Sequence, residues 1–425
     1  MSENKNNIKI VLFEDEKVED LAPVTLTRPA AAIHCGASSL IELLKDVGHP
    51  ISLQTKPYLQ EITATDYPHL SLETPASNER LLLVNSRLVP SPVYRQRLLE
   101  LAAGDRSQIW TRDGTTIAAL VGDDVPELVR LNTPETLQSA PGEWAQQLKL
   151  PEAPEAYMPI IDYPHDIVRF HLEVLNDNLN EKLRESGKYT EVKDGVFLAD
   201  GAKLGEYCVT DTSDGPIVIE CGAKIGPYCY LNGPIHIGEN AKIIEHSAIK
   251  DFVSLGHTTK VGGEVEASII EPYTNKQHHG FLGHSYLGSW INLGAGTTNS
   301  DLKNTYGTIG MSYEDQKVIT GMQFMGCIIG DYSKTAINTS IFTGKVIGVA
   351  SMLYGFVTTN VPSFTNYARS FGQATETTQD VIIAMQARMF ARRGMQQREC
   401  DRELIRAMYA MTLEDRKMKS VPLAL

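Results

Sequence analysis

Residues 219–261 read IECGAKIGPYCYLNGPIHIGENAKIIEHSAIKDFVSLGHTTKV. An aliphatic side chain returns every six positions, at Ile219, Ile225, Leu231, Ile237, Ile243, Ile249, Leu255 and Val261. Two places before each aliphatic stands a mostly compact residue, such as Ala223, Cys229, Ala241, Ser247, Val253 or Thr259, with Ile217 and Ile235 as large exceptions. Glycine follows several of the aliphatics, at Gly226, Gly238, Gly256 and Gly262. A period of six fits neither the ~3.6 of a helix nor the ~2 of a plain strand. It fits a short strand whose positions i and i−2 point inward, followed by a corner. Three such units close one triangular coil, and each repeat buries its face only against its neighbours. The pattern predicts a parallel β-helix.

The ladder starts irregularly near Leu198 and Leu204, with residues 211–216 as a loop. It lapses at 271–280, resumes at Leu287 and Leu293, lapses again at 298–317, and recovers through Ile329, Ile341, Ile347 and Leu353. Each lapse predicts a loop extruded from a corner, the place where solenoids build binding sites. Upstream, residues 8–13 (IKIVLF) and 81–85 (LLLVN) read as buried strands and 39–48 as a helix, giving an α/β region. Residues 134–164 are acidic and proline-rich, and 166–183 carry a helical pattern leading into the solenoid. After the solenoid, 374–393 and 399–411 space their apolar residues as helices do. The expected division is 1–150 for the α/β domain, 151–190 for linker and connecting helix, 191–370 for the β-helix, and 371–425 for the terminal helices.

Composition narrows the function. Thirty-nine Lys and Arg stand against 52 Asp and Glu, a net charge of −13, so a nucleic-acid partner is not expected. No stretch reaches the ~20 apolar residues that a bilayer demands, and residues 1–16 do not resemble a signal peptide. The six cysteines include no CxxC pair and read as reduced, mostly buried thiols. The cytoplasm is the expected location, with no membrane partner.

Two motifs carry a resemblance. Gly283-His-Ser-Tyr-Leu-Gly288, followed by Trp290-Ile-Asn-Leu-Gly-Ala-Gly-Thr-Thr298, resembles the H-x-S-Y-x-G…N-x-G-A-G-T pattern of the bifunctional N-acetylglucosamine-1-phosphate uridylyltransferase / glucosamine-1-phosphate acetyltransferase family. Pro23-Val-Thr-Leu-Thr-Arg-Pro29 is similar to the P-L-T-x-x-x-P element of sugar nucleotidyltransferases. The order of parts resembles a shortened branch of that family. The resemblance implies a degenerate nucleotidyltransferase-like front, a left-handed parallel β-helix carrying an acyltransferase, and C-terminal helices. It further implies acetyl-CoA as donor, a sugar phosphate as acceptor, UTP and Mg2+ if nucleotidyl transfer is retained, and a homotrimer.

Moving an acetyl group from a thioester to a sugar amine needs a base for the amine proton and a donor for the developing oxyanion. By the resemblance, Tyr286 holds sugar phosphate and Asn292 holds the sugar. His284 is the candidate base, one place closer to Ser285 than the family's histidine, whose position is Gly283; His278 and His279 are substitutes. Asn299 and Lys303 are candidates for contacting sugar or coenzyme A, and Lys260, Lys276, Arg28 and Arg87 for an anionic sugar phosphate. The front motifs fit less well. The family's glycine-rich phosphate loop is replaced by residues 14–22, EDEKVEDLA, and Arg87 stands where the metal-binding aspartate would align. Residues 131–134 match a late N-T-P element only loosely. Three alternatives remain: a sugar-1-phosphate nucleotidyltransferase using the β-helix as a trimer scaffold, a zinc enzyme of carbonic-anhydrase type built on His257, His279 and His284, and a non-catalytic β-helix protein.

Overall fold

A computed structural model describes residues 8–73, 80–122, 124–125, 141–154, 157–313 and 316–416. The N-T-P element at 131–134 lies outside the described residues. The chain forms two compact units. The first comprises Met1–Leu21, Arg28–His34 and Ser38–Asp162; the second comprises Ala22–Thr27, Cys35–Ala37 and Tyr163–Leu425.

In the first unit, β1 (Ile8–Phe13), β2 (Ile51–Leu53), β3 (Arg80–Asn85), β4 (Gln108–Arg112) and β5 (Thr115–Val121) form one sheet in the order β2-β1-β3-β5-β4. Strand β1 runs parallel to both β2 and β3, and β5 runs antiparallel to β3 and β4. The apolar, buried run Ile10–Phe13 of β1 suits a parallel strand covered on both faces. Helix α1 (Leu40–Leu44) is the short helix expected within 39–48; Ser39 and Glu42 cap it reciprocally. This strand order sets the carboxyl ends of β1 and β3 side by side, where the chain switches direction and open α/β sheets bind ligands.

The second unit is the parallel β-helix that the six-residue period predicts. Its first face stacks Ile217–Ile219, Ile235–Ile237, Val253–Leu255, Ile269–Ile270, Tyr286–Leu287, Cys327–Ile329 and Lys345–Ile347. The second face stacks Lys224–Ile225, Lys242–Ile243, Lys260–Val261 and Asn275–Lys276. The third stacks Val209–Asp211, Tyr230–Asn232, Ala248–Ile249, Glu264–Glu266 and Phe281–Gly283, and Thr298–Asn299 pairs further up with Ser340–Ile341. The inward aliphatics form one core from Val196 to Tyr367. Burying each such side chain contributes roughly 1.5–3 kcal/mol, repeated coil after coil.

The two lapses turn out differently. Residues 271–280 are not extruded: the coil is shortened just before them, between Val261 and Ile270, so the strands stay paired while the phase slips. Residues 300–326 do leave the solenoid, as an excursion carrying an antiparallel hairpin, Gly310–Tyr313 with Gln316–Ile319. The first unit also carries the helix Pro92–Ala103 (α2), and in the second the connecting helix, Pro164–Leu183 (α3), covers the outer side of the first face. There Leu175 and Leu179 pack on Val218, and Arg169 donates to the carbonyl of Thr320 in the excursion. The first terminal helix begins later than expected, at Gln379–Ala391 (α4), because Gln373–Glu376 pair as a strand with Thr365–Ala368. The last is Glu399–Met411 (α5), as its spacing predicts. Among the described residues, no helix is long and apolar enough to cross a membrane.

Candidate active site

His284 occupies the corner between the third and first faces, in the left-handed backbone region at φ +45°. Asp301 occupies the equivalent corner one coil later, 17 residues on, and the stacking sets His284 Nδ1 2.9 Å from Asp301 Oδ2. A carboxylate only accepts, so Nδ1 carries the proton of the neutral ring and Nε2 keeps its lone pair. Both side chains are mostly covered, at 13% and 14% exposure. Phe324, returning from the excursion, stacks on the imidazole at 5.2 Å. Beneath the corner lies a polar plug inside the solenoid. Asn299 accepts from Gly283 N–H at 2.9 Å and donates to Gly283 O at 3.0 Å, while Ser285 Oγ donates to the same carbonyl and accepts from Cys327 N–H. Gly326 must lack a side chain, since a Cβ there would meet Gly283 O at 2.1 Å. A histidine with one nitrogen pinned and the other available is the arrangement of a general base.

Several expected residues stand elsewhere. Asn299 is a correction: it is no loop contact for sugar or coenzyme A but fills an inward aliphatic position, in register with Ile341. Lys276 is another. The phase slip places it in register with Val261, inside the solenoid, where Nζ donates to the carbonyls of Gly262 and His278. Burial lowers its pKa to about 8, and it has no surface to offer a phosphate. Tyr286 faces outward on the first face yet is fully buried, its hydroxyl donating to Glu271 at 2.7 Å; no phosphate reaches it there. Asn292 is exposed on the second face, between Asn275 and Lys334, away from the His284 corner. Lys303 lies on the excursion and donates to Thr308 O. His257, His278 and His279 are at the other two corners, so one chain does not bring three imidazoles together. Arg28 is half-buried in the first unit. Asp301 escaped the sequence reading; the correct coil phase would have found it, since it follows Asn299 by the same two places as His284 follows Leu282.

The carboxyl ends of β1 and β3 hold Asp15, Asn85 and Arg87. The fully buried Arg87 guanidinium donates Nε and Nη2 to the two oxygens of Asp15 at 2.8 and 2.7 Å, and Nη1 to Asp162 and the Ile161 carbonyl at 2.7 and 2.9 Å. Burial by itself would pull the Arg87 pKa down, and its two carboxylate partners more than reverse this. Nearby, Glu14 accepts the backbone N–H of Ala30 at 2.8 Å, so a carboxylate of the chain takes an amide donor. Magnesium does not fit these residues: a cation already occupies the crevice and both carboxylates are committed to it.

Residues 10–185 match the family model described as sugar nucleotidyl transferase. The chain is similar to the bifunctional protein GlmU of Cupriavidus pinatubonensis, 29% identical over 118 residues, covering 27% of this chain and 25% of that protein. It is 28% identical over 142 residues to the bifunctional sugar-1-phosphate nucleotidylyltransferase/acetyltransferase of Sulfurisphaera tokodaii, covering 33% and 35% of the two chains. Against GlmU of Picosynechococcus the identity is 26% over 198 residues, 41% of this chain and 40% of the relative. The chain thus spans between a quarter and two-fifths of the relatives' lengths. Among solved structures, UDP-N-acetylglucosamine acyltransferase of Francisella novicida aligns at 16% identity over 53% of this chain and 87% of its own, with a TM-score of 0.29.

Proposed function

We propose that the second unit transfers an acetyl group from acetyl-CoA to the amine of an amino-sugar 1-phosphate, with glucosamine-1-phosphate as the acceptor. The observation that carries this reading is the His284–Asp301 pair at a loop-bearing corner of the solenoid. Asp301 holds the ring so that Nε2 faces the substrate amine. The amine nitrogen attacks the thioester carbonyl and a C–N bond forms. Nε2 takes the amine proton, the C–S bond breaks, and the departing thiolate recovers that proton from the imidazolium. Asn292 faces away from His284 in one chain, so its contact with the same sugar requires a neighbouring copy; a homotrimer belongs to this reading. Uridylyl transfer is not assigned to the front unit, because Arg87 holds the place a metal would need.

The test mixes the protein with acetyl-CoA and glucosamine-1-phosphate and follows free thiol. Release above background is expected, and H284A should lower kcat by roughly 10²–10⁴. A folded protein with no release would refute the acetyltransferase reading, and an unchanged rate in H284A would dismiss this histidine.

A further inference from the structure

The second face of the solenoid carries an unusual column. Its strands are two residues long, so each shows one outward side chain. At successive rungs that side chain is lysine: Lys203, Lys224, Lys242 and Lys260 stand in register. The next rung is Asn275, and there Arg393, from the end of α4, donates to Asn275 Oδ1 at 2.9 Å. With rungs ~4.8 Å apart, five cations line ~19 Å of a protein whose net charge is −13. Among the described residues no carboxylate comes within ion-pair distance of any of the four lysines, although Asp200, Glu206, Glu239 and Glu245 project from the flanking corners. Like charges placed directly opposite on neighbouring strands repel. Lys260 reports the strain: burial, then Arg393, Lys242 and Arg392, lower its pKa.

We propose that this column, Lys203–Lys224–Lys242–Lys260–Arg393, is a binding site for a linear polyphosphate chain. Evenly spaced ammonium groups act as point charges, which suit phosphates strung along a line; planar carboxylates favour the fork of arginine. The column is one residue wide, too narrow for a membrane surface. Single-stranded nucleic acid needs aromatic platforms between the charges. The nearby rings, Tyr207, Tyr228 and His246, are already stacked on one another at 5.1 and 5.3 Å and leave no gap for a base. The column lies on a different face from His284 but shares its face with Asn292, one rung beyond Asn275, so polyphosphate binding is read separately from thiol release.

The experiment titrates the full chain with short inorganic polyphosphate at several salt concentrations. Binding is expected, with log K falling against log salt at a slope of about −3.5, from ~0.7 per neutralised phosphate on a single strand. The double variant K224Q/K242Q, whose side chains face solvent, should bind at least about tenfold more weakly with a shallower slope. K203E serves as a second variant if that one fails to fold. Equal or tighter binding of polyglutamate or of single-stranded DNA would overturn the proposal. So would the absence of polyphosphate binding, including the case where the lysine variants instead change the mass of the assembly and mark the column as a contact between copies.

Discussion

His284 and Asp301 divide one task. In the proposed acetyl transfer the histidine receives the proton, and the carboxylate keeps the ring in one tautomer and one orientation. D301A leaves the imidazole in place but frees it to turn about its χ angles, beside only the Phe324 ring. A loss of roughly tenfold to a hundredfold in kcat with KM nearly unchanged is expected, and D301E should recover part of it. An equal rise in KM instead would show that Asp301 binds substrate. The same scale explains the misplaced residues. Lys276 and Asn299 are polar, and polarity argued for the surface, yet each sits at an inward position of the ladder and satisfies its polar atoms within the solenoid.

At the scale of elements, α3 holds to the solenoid through apolar contacts, polar bonds such as Lys182–Glu220, and the buried His171. His171 Nδ1 accepts the N–H of Gly36 at 3.1 Å, and Nε2–H donates to Phe252 O at 2.8 Å. Burial pushes its pKa down to about 4, and the charge on nearby His236 adds to that. Its ordinary value is 6.5, so the unfolded chain binds more protons as pH falls from 6.5 towards 4. Stability is therefore full above pH 6.5 and drains below it, by about 3 kcal/mol for this one group. Denaturant unfolding at pH 7 and pH 4.5 should show the loss, and H171L should reduce it. An equal acid loss in H171L would place the sensitivity elsewhere. The excursion at 300–326 shows why elements resist prediction: its apolar residues have no period, and it is ordered by contacts such as Leu302 with Phe324 that join positions distant in sequence.

For the molecule as a whole, the two units differ in what they retain. The front unit keeps the sheet of a nucleotidyltransferase-like domain while an internal ion pair fills its crevice. Incubation with UTP, Mg2+ and N-acetylglucosamine-1-phosphate should release no pyrophosphate above background; metal-dependent release would refute the assignment of Arg87. Removing Arg87 leaves Asp15 and Asp162 facing each other, and R87M should destabilise the front unit by about 3 kcal/mol in denaturant unfolding. A change within error would mean that the pair contributes little.

Periodicity alone determined the solenoid, because every coil repeats the same demand for an inward aliphatic and so writes its fold locally, residue by residue. The strands at 8–13 and 81–85 and the helix at 399–411 were legible for the same reason. The mismatch at Arg87 was visible as a residue of the wrong charge. What the tertiary structure decided is phase. A coil shortened between Val261 and Ile270 carries Lys276 inward, and the following coil stacks Asp301 over His284. Such contacts arise between residues one turn of the solenoid apart, and the length of each turn is set by its corners, which carry no hydrophobic signal of their own.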